Sequence, residues 1–250
     1  MSGESQFCHV RGARFLEAQQ LTKTYVLGAE TIYALRDVNF AAPQGDFVVI
    51  NGPSGSGKTT FLNLMSVIDR PTTGEVYVEG QPTSTLTEGQ LAQLRKTKIG
   101  LVFQSFNLIP VLSAAENVEY PLLLQRVARP ARRERVAARL EEVGLTAFAR
   151  RRPNELSGGQ RQRVAIARAL VTGPMIVLAD EPTANLDSET GAAVMELMRR
   201  LNEDHCVTFL VVTHDPAVSR YAQRRIRILD GRLVEGEGDG VATAAAKPVA

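Results

Sequence analysis

The chain has 250 residues, 44% of them hydrophobic and 22% charged, which is ordinary for a soluble globular protein with one large core or two modest domains. Its 29 lysines and arginines nearly balance 27 acids, for a formal net charge of +2, which argues against a strong nucleic-acid field. The densest basic cluster, Arg150-Arg151-Arg152, reads as a solvated face.

Residues 1–13 are polar and unpatterned and read as a flexible tail. Cys8 lies there with no apolar stretch before it, so no secretion leader is expected. "YALRDVNFA" (33–41) alternates apolar and polar residues, as in an antiparallel sheet with one wet face. "FVVI" (47–50) is apolar without alternation, which suits a parallel strand covered on both faces, and a helix is expected over Lys58–Ile68. "GEVYVEG" (74–80) returns to alternation. Residues 105–171 read as mostly helical, with an apolar stripe at Val136, Leu140 and Val143 and another at Val164, Ala167 and Val171. "MIVLA" (175–179) and "VTFLVV" (207–212) are two more core strands, followed by helix candidates Ser188–Asn202 and Pro216–Tyr221. Cys206, just before "VTFLVV", is expected to be a buried small hydrophobe. Residues 237–250 read as a second flexible tail. Two cysteines give no disulfide framework or metal spacing, and no window approaches the roughly 18 apolar residues of a membrane span. A reducing, cytoplasmic setting is expected. The fold class is α/β: a parallel core, an antiparallel β layer near its start and an inserted helical lobe.

Four stretches carry chemistry. Gly52-Pro53-Ser54-Gly55-Ser56-Gly57-Lys58-Thr59 matches G-x-x-x-x-G-K-[ST], between an apolar strand and a helix. Its glycines let backbone N–H groups turn inward on a phosphate, Lys58 reaches the β/γ-phosphates, and the Thr59 hydroxyl can ligate Mg²⁺. Alone this fits a kinase, a GTPase or an ATPase. "MIVLADEPT" (175–183) ends a strand in two acids. Asp180 is placed for Mg²⁺. Glu181 is expected on the opposite face of the strand, where it can activate a water, which favours hydrolysis over transfer. His214, in "VVTHD", stands at the matching end of another strand and makes a γ-phosphate contact credible. "NELSGGQRQRVAIARAL" (154–170) offers a second helix start suited to an anion, capped by Ser157 with the Gly158 and Gly159 N–H groups open.

With "LSGGQ" (156–160) and "NLD" (185–187) added, residues 14–236 resemble the nucleotide-binding subunit of an ABC transporter. The resemblance implies a P-loop NTPase (RecA-like) core with a helical subdomain inserted at about 105–171, and an ATPase using ATP and Mg²⁺. It implies a phosphate cradle of Gly52, Ser54, Gly55, Ser56, Gly57, Lys58, Thr59 and Thr60, with Tyr25 stacking on adenine. It implies Gln104 at the metal and the attacking water, Glu181 as general base, His214 as γ-phosphate switch, and Thr59, Gln104 and Asp180 around Mg²⁺. Ser157, Gly158, Gly159, Gln160 and Asp187 would serve the ATP held by a second copy of the chain. Thr59, Asn51 and Phe61 depart from the commonest family residues, but Thr59 keeps the metal-binding hydroxyl.

"GPSGSGKTTFLNLMSVIDRPTTGEVYVEG" and "ADEPTANLDSETG" are similar to the lipoprotein-release, macrolide-export and cell-division branch (LolD/MacB/FtsE-like). That branch implies a peripheral subunit at the cytoplasmic face of the inner membrane, working with an FtsX/MacB-like permease. Its alternative is a mechanotransmission complex that regulates an extracytoplasmic enzyme without moving a substrate. Phe106, Leu108, Ile109, Val111 and Leu112 form either a docking patch for that permease or ordinary core. A soluble ABC-type ATPase acting on DNA or ribosomes is set aside: the chain has one cassette, no heptad insertion and near-neutral charge.

Overall fold

The computed structural model describes residues 14–235; the two tails and Cys8 lie outside the described residues. The chain opens with two long strands, β1 (Arg14–Leu27) and β2 (Glu30–Pro43), paired antiparallel about the turn at Gly28. β4 (Thr73–Val78) and the short β5 (Gln81–Pro82) complete an antiparallel sheet ordered β2-β1-β4-β5. Its alternating strands turn one face inward: Leu16, Ala18, Leu21, Leu35, Val38, Val76 and Val78 are all buried.

The second sheet is ordered β10-β9-β3-β8-β7-β6. It comprises β3 (Phe47–Asn51), β6 (Ile99–Val102), β7 (Ile176–Asp180), β8 (Thr208–Thr213), β9 (Arg224–Leu229) and β10 (Arg232–Glu235). The five strands from β9 to β6 run parallel, and β10 adds an antiparallel edge. The continuous apolar runs follow from burial on both faces. Phe47, Val49, Val177, Ala179, Phe209 and Val211 enter one core; Val48, Ile50, Ile176, Leu178, Leu210 and Val212 enter the other.

The second of these cores lies between the two sheets and holds α1 (Lys58–Met65). Leu91 of α2 (Glu88–Lys98) joins it. The first core is covered by α3 (Ala114–Leu124), α4 (Arg129–Glu142), α5 (Gly158–Leu170) and α6 (Ser188–His205). Both expected stripes face that core, with Val136, Leu140, Val143, Val164, Ala167 and Val171 buried. Capping boxes start α2, α3 and α5, each pairing a Ser or Thr with a Glu or Gln three residues on.

Two local expectations need correction, and one open alternative divides between its members. Pro216–Tyr221 is a 3-10 turn, since a six-residue segment after Asp215 is too short for α-helical bonds to repay nucleation. Cys206 is only half-buried, because it takes the left-handed position that ends α6, with φ 50°. Phe106 is core, whereas Leu108, Ile109 and Leu112 are half-buried and Val111 is 72% exposed.

Candidate functional site

The parallel register brings the carboxyl ends of four strands to one edge. Asn51 pairs with Thr213, Asp180 with Val212, and Val102 with Ala179. Ligands of open parallel sheets bind beyond such an edge. From β3 the chain enters the loop 52–57. Gly55 and Gly57 adopt φ 80° and 104°, conformations costly for any residue with a Cβ. At Gly57 a Cβ would also strike the Ala34 carbonyl, and at Gly52 it would strike the backbone and side chain of Ile228. The loop is therefore pressed between β2 and β9. α1 starts from Gly57 without a side-chain cap and has no acid in its first turn, so the first N–H groups of Lys58, Thr59 and Thr60 point to an anion. Ser56 is buried, with its hydroxyl unpaired. Ser54 is exposed on the loop.

Lys58 is 7% exposed and donates to the carbonyls of Gly52 (2.8 Å) and Pro53 (2.9 Å). Its ammonium lies 3.9 Å from the Glu181 carboxylate. Thr59 donates its hydroxyl to Asp180 Oδ2 at 3.2 Å, while Asp180 Oδ1 is buried without a partner. Burial first, and then repulsion from Glu181, hold the Asp180 carboxyl above its ordinary range, against the pull of Thr59 and Lys58. A carboxyl more basic in the folded state binds its proton on folding. Its stabilising contribution is full below the ordinary carboxylate pKa and is lost as pH rises through the raised folded value. Above that raised value the metal-free protein carries a carboxylate that costs it stability. Asp180→Asn keeps an oxygen for Thr59 and removes the charge. Its thermal midpoint without Mg²⁺ is expected to rise by roughly 2 °C at pH 7 and by less near pH 4, as calorimetry would read it.

Glu181 departs from the expected alternation. It has already left β7 and sits at φ 48°, in the left-handed region, so a backbone turn rather than strand pleating separates its carboxylate from that of Asp180. Its N–H donates to Val212 O (2.9 Å). Its Oε2 accepts from the Thr213 hydroxyl (2.9 Å) and His214 N–H (3.2 Å), and its Oε1 lies 2.9 Å from His214 Nδ1. These contacts hold a strained residue in place. The His214 side chain is 60% exposed beyond it.

Other expected residues lie further out. Gln104 follows β6 and is exposed; its carbonyl accepts from the Asn185 amide at 2.9 Å. Tyr25, 40% exposed, donates its hydroxyl to Asp69 (3.3 Å), and the Lys23 ammonium lies 5.2 Å from its ring centre. It belongs to the β1–β2 hairpin that borders the loop at Ala34. Ser157 caps α5 by accepting from Gln160 N–H (3.2 Å), while Gln160 Oε1 accepts from Ser157 N–H (2.9 Å). The Gln160 side chain is thus engaged in capping. Gly158 and Gly159 pack on Leu186 and Thr190, where a Cβ would collide at Gly159. Asp187 caps α6 through Thr190 N–H (2.9 Å), and that backbone bond holds its carboxyl below the usual range. Among the described residues, no hydrogen bond joins 157–160 to the loop of the same chain.

Sequence reasoning missed Thr213 and Arg168, and took Asn185 only as part of "NLD" without a role of its own. Thr213 ends a recognised strand and could have been found from the register. Arg168 on α5 donates to the carbonyls of Phe106 and Asn107, and only the folded loop reveals those partners.

Residues 35–184 match the family model described as "ABC transporter". The chain is 49% identical over 226 residues to an uncharacterized ABC transporter ATP-binding protein, MJ0796, of Methanocaldococcus jannaschii, covering 89% of this chain and 96% of that protein. It is 41% identical to the macrolide export ATP-binding/permease protein MacB of Escherichia coli, over 94% of this chain but 36% of that longer protein. Among solved structures it resembles a dimeric post-hydrolysis state of the MJ0796 cassette bound to ADP and Pi, with TM-score 0.81, 47% identity, and coverage of 90% of this chain and 100% of that one. The phosphate loop, the paired acids at a strand end and these likenesses agree: the chain belongs to the ABC transporter family, as an ATP-binding subunit with ATPase activity.

Proposed function

We propose that two copies of the chain sandwich two ATP molecules head to tail, and that hydrolysis drives a membrane permease of the macrolide-export or lipoprotein-release type (MacB- or FtsX-like). The observation that carries the reading is the Glu181 carboxylate, fixed by Thr213 and His214 beside Lys58 and Asp180 at the strand ends. A carboxylate so held takes the proton of an attacking water. Residues 52–60 embrace the β- and γ-phosphates through backbone N–H groups, and Lys58 exchanges its loop carbonyls for phosphate oxygens. Tyr25 stacks on adenine, and His214 turns to the γ-phosphate.

The residues also fit Mg²⁺: the buried, unpartnered Asp180 Oδ1 beside the Thr59 hydroxyl is a hard-oxygen donor pair, with the exposed Gln104 amide as a third group. When bound, the ion neutralises phosphate charge. Ser157, Gly158 and Gly159, unbonded to their own loop, serve the γ-phosphate of the partner copy, with Asp187 at the same interface. Gln160 contributes by holding that helix start in shape.

The permease reading rests on the relatives named for macrolide export. Among the described residues no helix is long and apolar enough to cross a membrane, and we place the subunit at the cytoplasmic face. Affinity purification from detergent-solubilised membranes of the source cells tests this. The expected companion has few transmembrane helices and a large extracytoplasmic domain, and it stimulates ATP turnover when added back. A many-helix permease overturns the branch. A companion that activates an extracytoplasmic hydrolase with no cargo moved replaces transport by force transmission.

A further inference from the structure

Beyond β6 the backbone of residues 104–107 is gripped from outside by two elements. Phe106 and Asn107 adopt φ 61° and 48°, a left-handed pair that a bulky aromatic takes only under constraint. The constraint comes from α5. Arg168 Nη2 donates to Phe106 O (2.9 Å) and its Nη1 to Asn107 O (2.5 Å), while Arg161, two turns earlier on the same helix, lies 5.1 Å from the Phe106 ring centre. Arg168 has no ion-pair partner among the described residues, although burial pushes its guanidinium below its usual range. Among the described residues its side-chain hydrogen bonds go to those two carbonyls, and they are charge-assisted and so stronger than neutral ones. From the other side, Asn185 donates to Gln104 O (2.9 Å).

We propose that Arg168 is a positioning residue for ATP hydrolysis: it fixes the backbone that carries Gln104 and ties it to the helix that begins at Ser157. The planar fork of an arginine spans two successive carbonyls, which the point charge of a lysine does not. α5 therefore has a different task at each end. Its first N–H groups face the ATP of the partner copy, and its last turn sets the residue that meets the ATP of its own copy. Movement of α5 on pairing is transmitted to Gln104 through Arg168. This rests on the proposed role of Gln104 at the metal and the attacking water.

The test uses the purified full chain and the variants Arg168→Lys, Gln104→Ala and the double variant, with kcat, ATP affinity by a fluorescent analogue, and amide exchange over 104–109. Arg168→Lys is expected to lower kcat about tenfold or more with ATP affinity within about twofold, and to speed exchange in that segment. The double variant is expected to be no slower than Gln104→Ala alone, since both act through one group. A wild-type kcat in Arg168→Lys overturns the proposal, and so do losses that multiply in the double variant. A harmless Gln104→Ala instead overturns the assigned role of Gln104, and leaves Arg168 a stabilising contact only. If Arg168→Lys does not fold, Asn185→Ala, which frees the Gln104 carbonyl at an exposed bond, takes its place. The same lowered kcat and non-additivity are expected, and their absence overturns the grip on this loop.

Discussion

Glu181→Gln is expected to lower steady-state ATP hydrolysis by about 10²–10⁴-fold while ATP affinity changes by no more than about twofold. The substitution is close to isosteric. Thr213 and His214 N–H donate to Oε2, and an amide oxygen placed there accepts both bonds. The amide NH₂ then faces His214 Nδ1, which accepts from it in the tautomer protonated at Nε2. The left-handed turn at residue 181 and its bond to Val212 are backbone features and survive. What is lost is the ability to take a proton from water. The change also removes the negative charge that helps to raise the Asp180 carboxyl, so metal binding does not weaken. Rapid-quench hydrolysis assays alongside nucleotide titration separate the two quantities. If the variant turned over within tenfold of the parent, another group would be the base. If it lost ATP binding, Glu181 would be holding Lys58 in place across their 3.9 Å separation rather than acting on water.

The parts of this site that could be read from the sequence are those in which local backbone chemistry and function coincide. A phosphate loop needs glycines at fixed places, and Gly52 and Gly57 are the positions where a Cβ would strike neighbouring backbone. A core strand must be apolar throughout, so "FVVI", "MIVLA" and "VTFLVV" announced the parallel sheet and the strand ends that carry Asp180 and His214. Three things stayed hidden for a physical reason. The turn at Glu181 is forced on a glutamate by tertiary bonds, against its own preference, and no local signal marks it. β9 reads "RRIRIL": its arginines concealed a strand whose Ile226 and Ile228 alone are buried. Arg168 looked like one more charge on a basic helix until its two carbonyl partners, some sixty residues earlier, were in place. Long-range pairing of a side chain with a loop backbone leaves no periodicity to detect.

Ser157→Arg is expected to reduce hydrolysis to background while the monomer still binds ATP, because the loop 52–60 of the same chain makes no hydrogen bond to residues 157–160 among the described residues. Ser157 also caps α5, so a residue there that cannot cap costs stability, typically about 1 kcal/mol. Arginine adds a cation at the positive end of a helix. Ser157→Ala supplies the control. It loses the same cap and should lower the thermal midpoint by a similar few degrees, but it puts no obstruction before the partner copy. A decisive form of the experiment mixes two dead proteins. In a pair made of one Glu181→Gln chain and one Ser157→Arg chain, one composite site is doubly damaged. The other joins the intact Glu181 of one chain to the intact Ser157 of its partner. Chains mixed in equal amounts before ATP is added should then recover about a quarter of the parental turnover, half of the pairs being mixed and each having one sound site. A mixture as inactive as its components would mean that residues 157–160 serve their own chain, and the head-to-tail site would have to be abandoned.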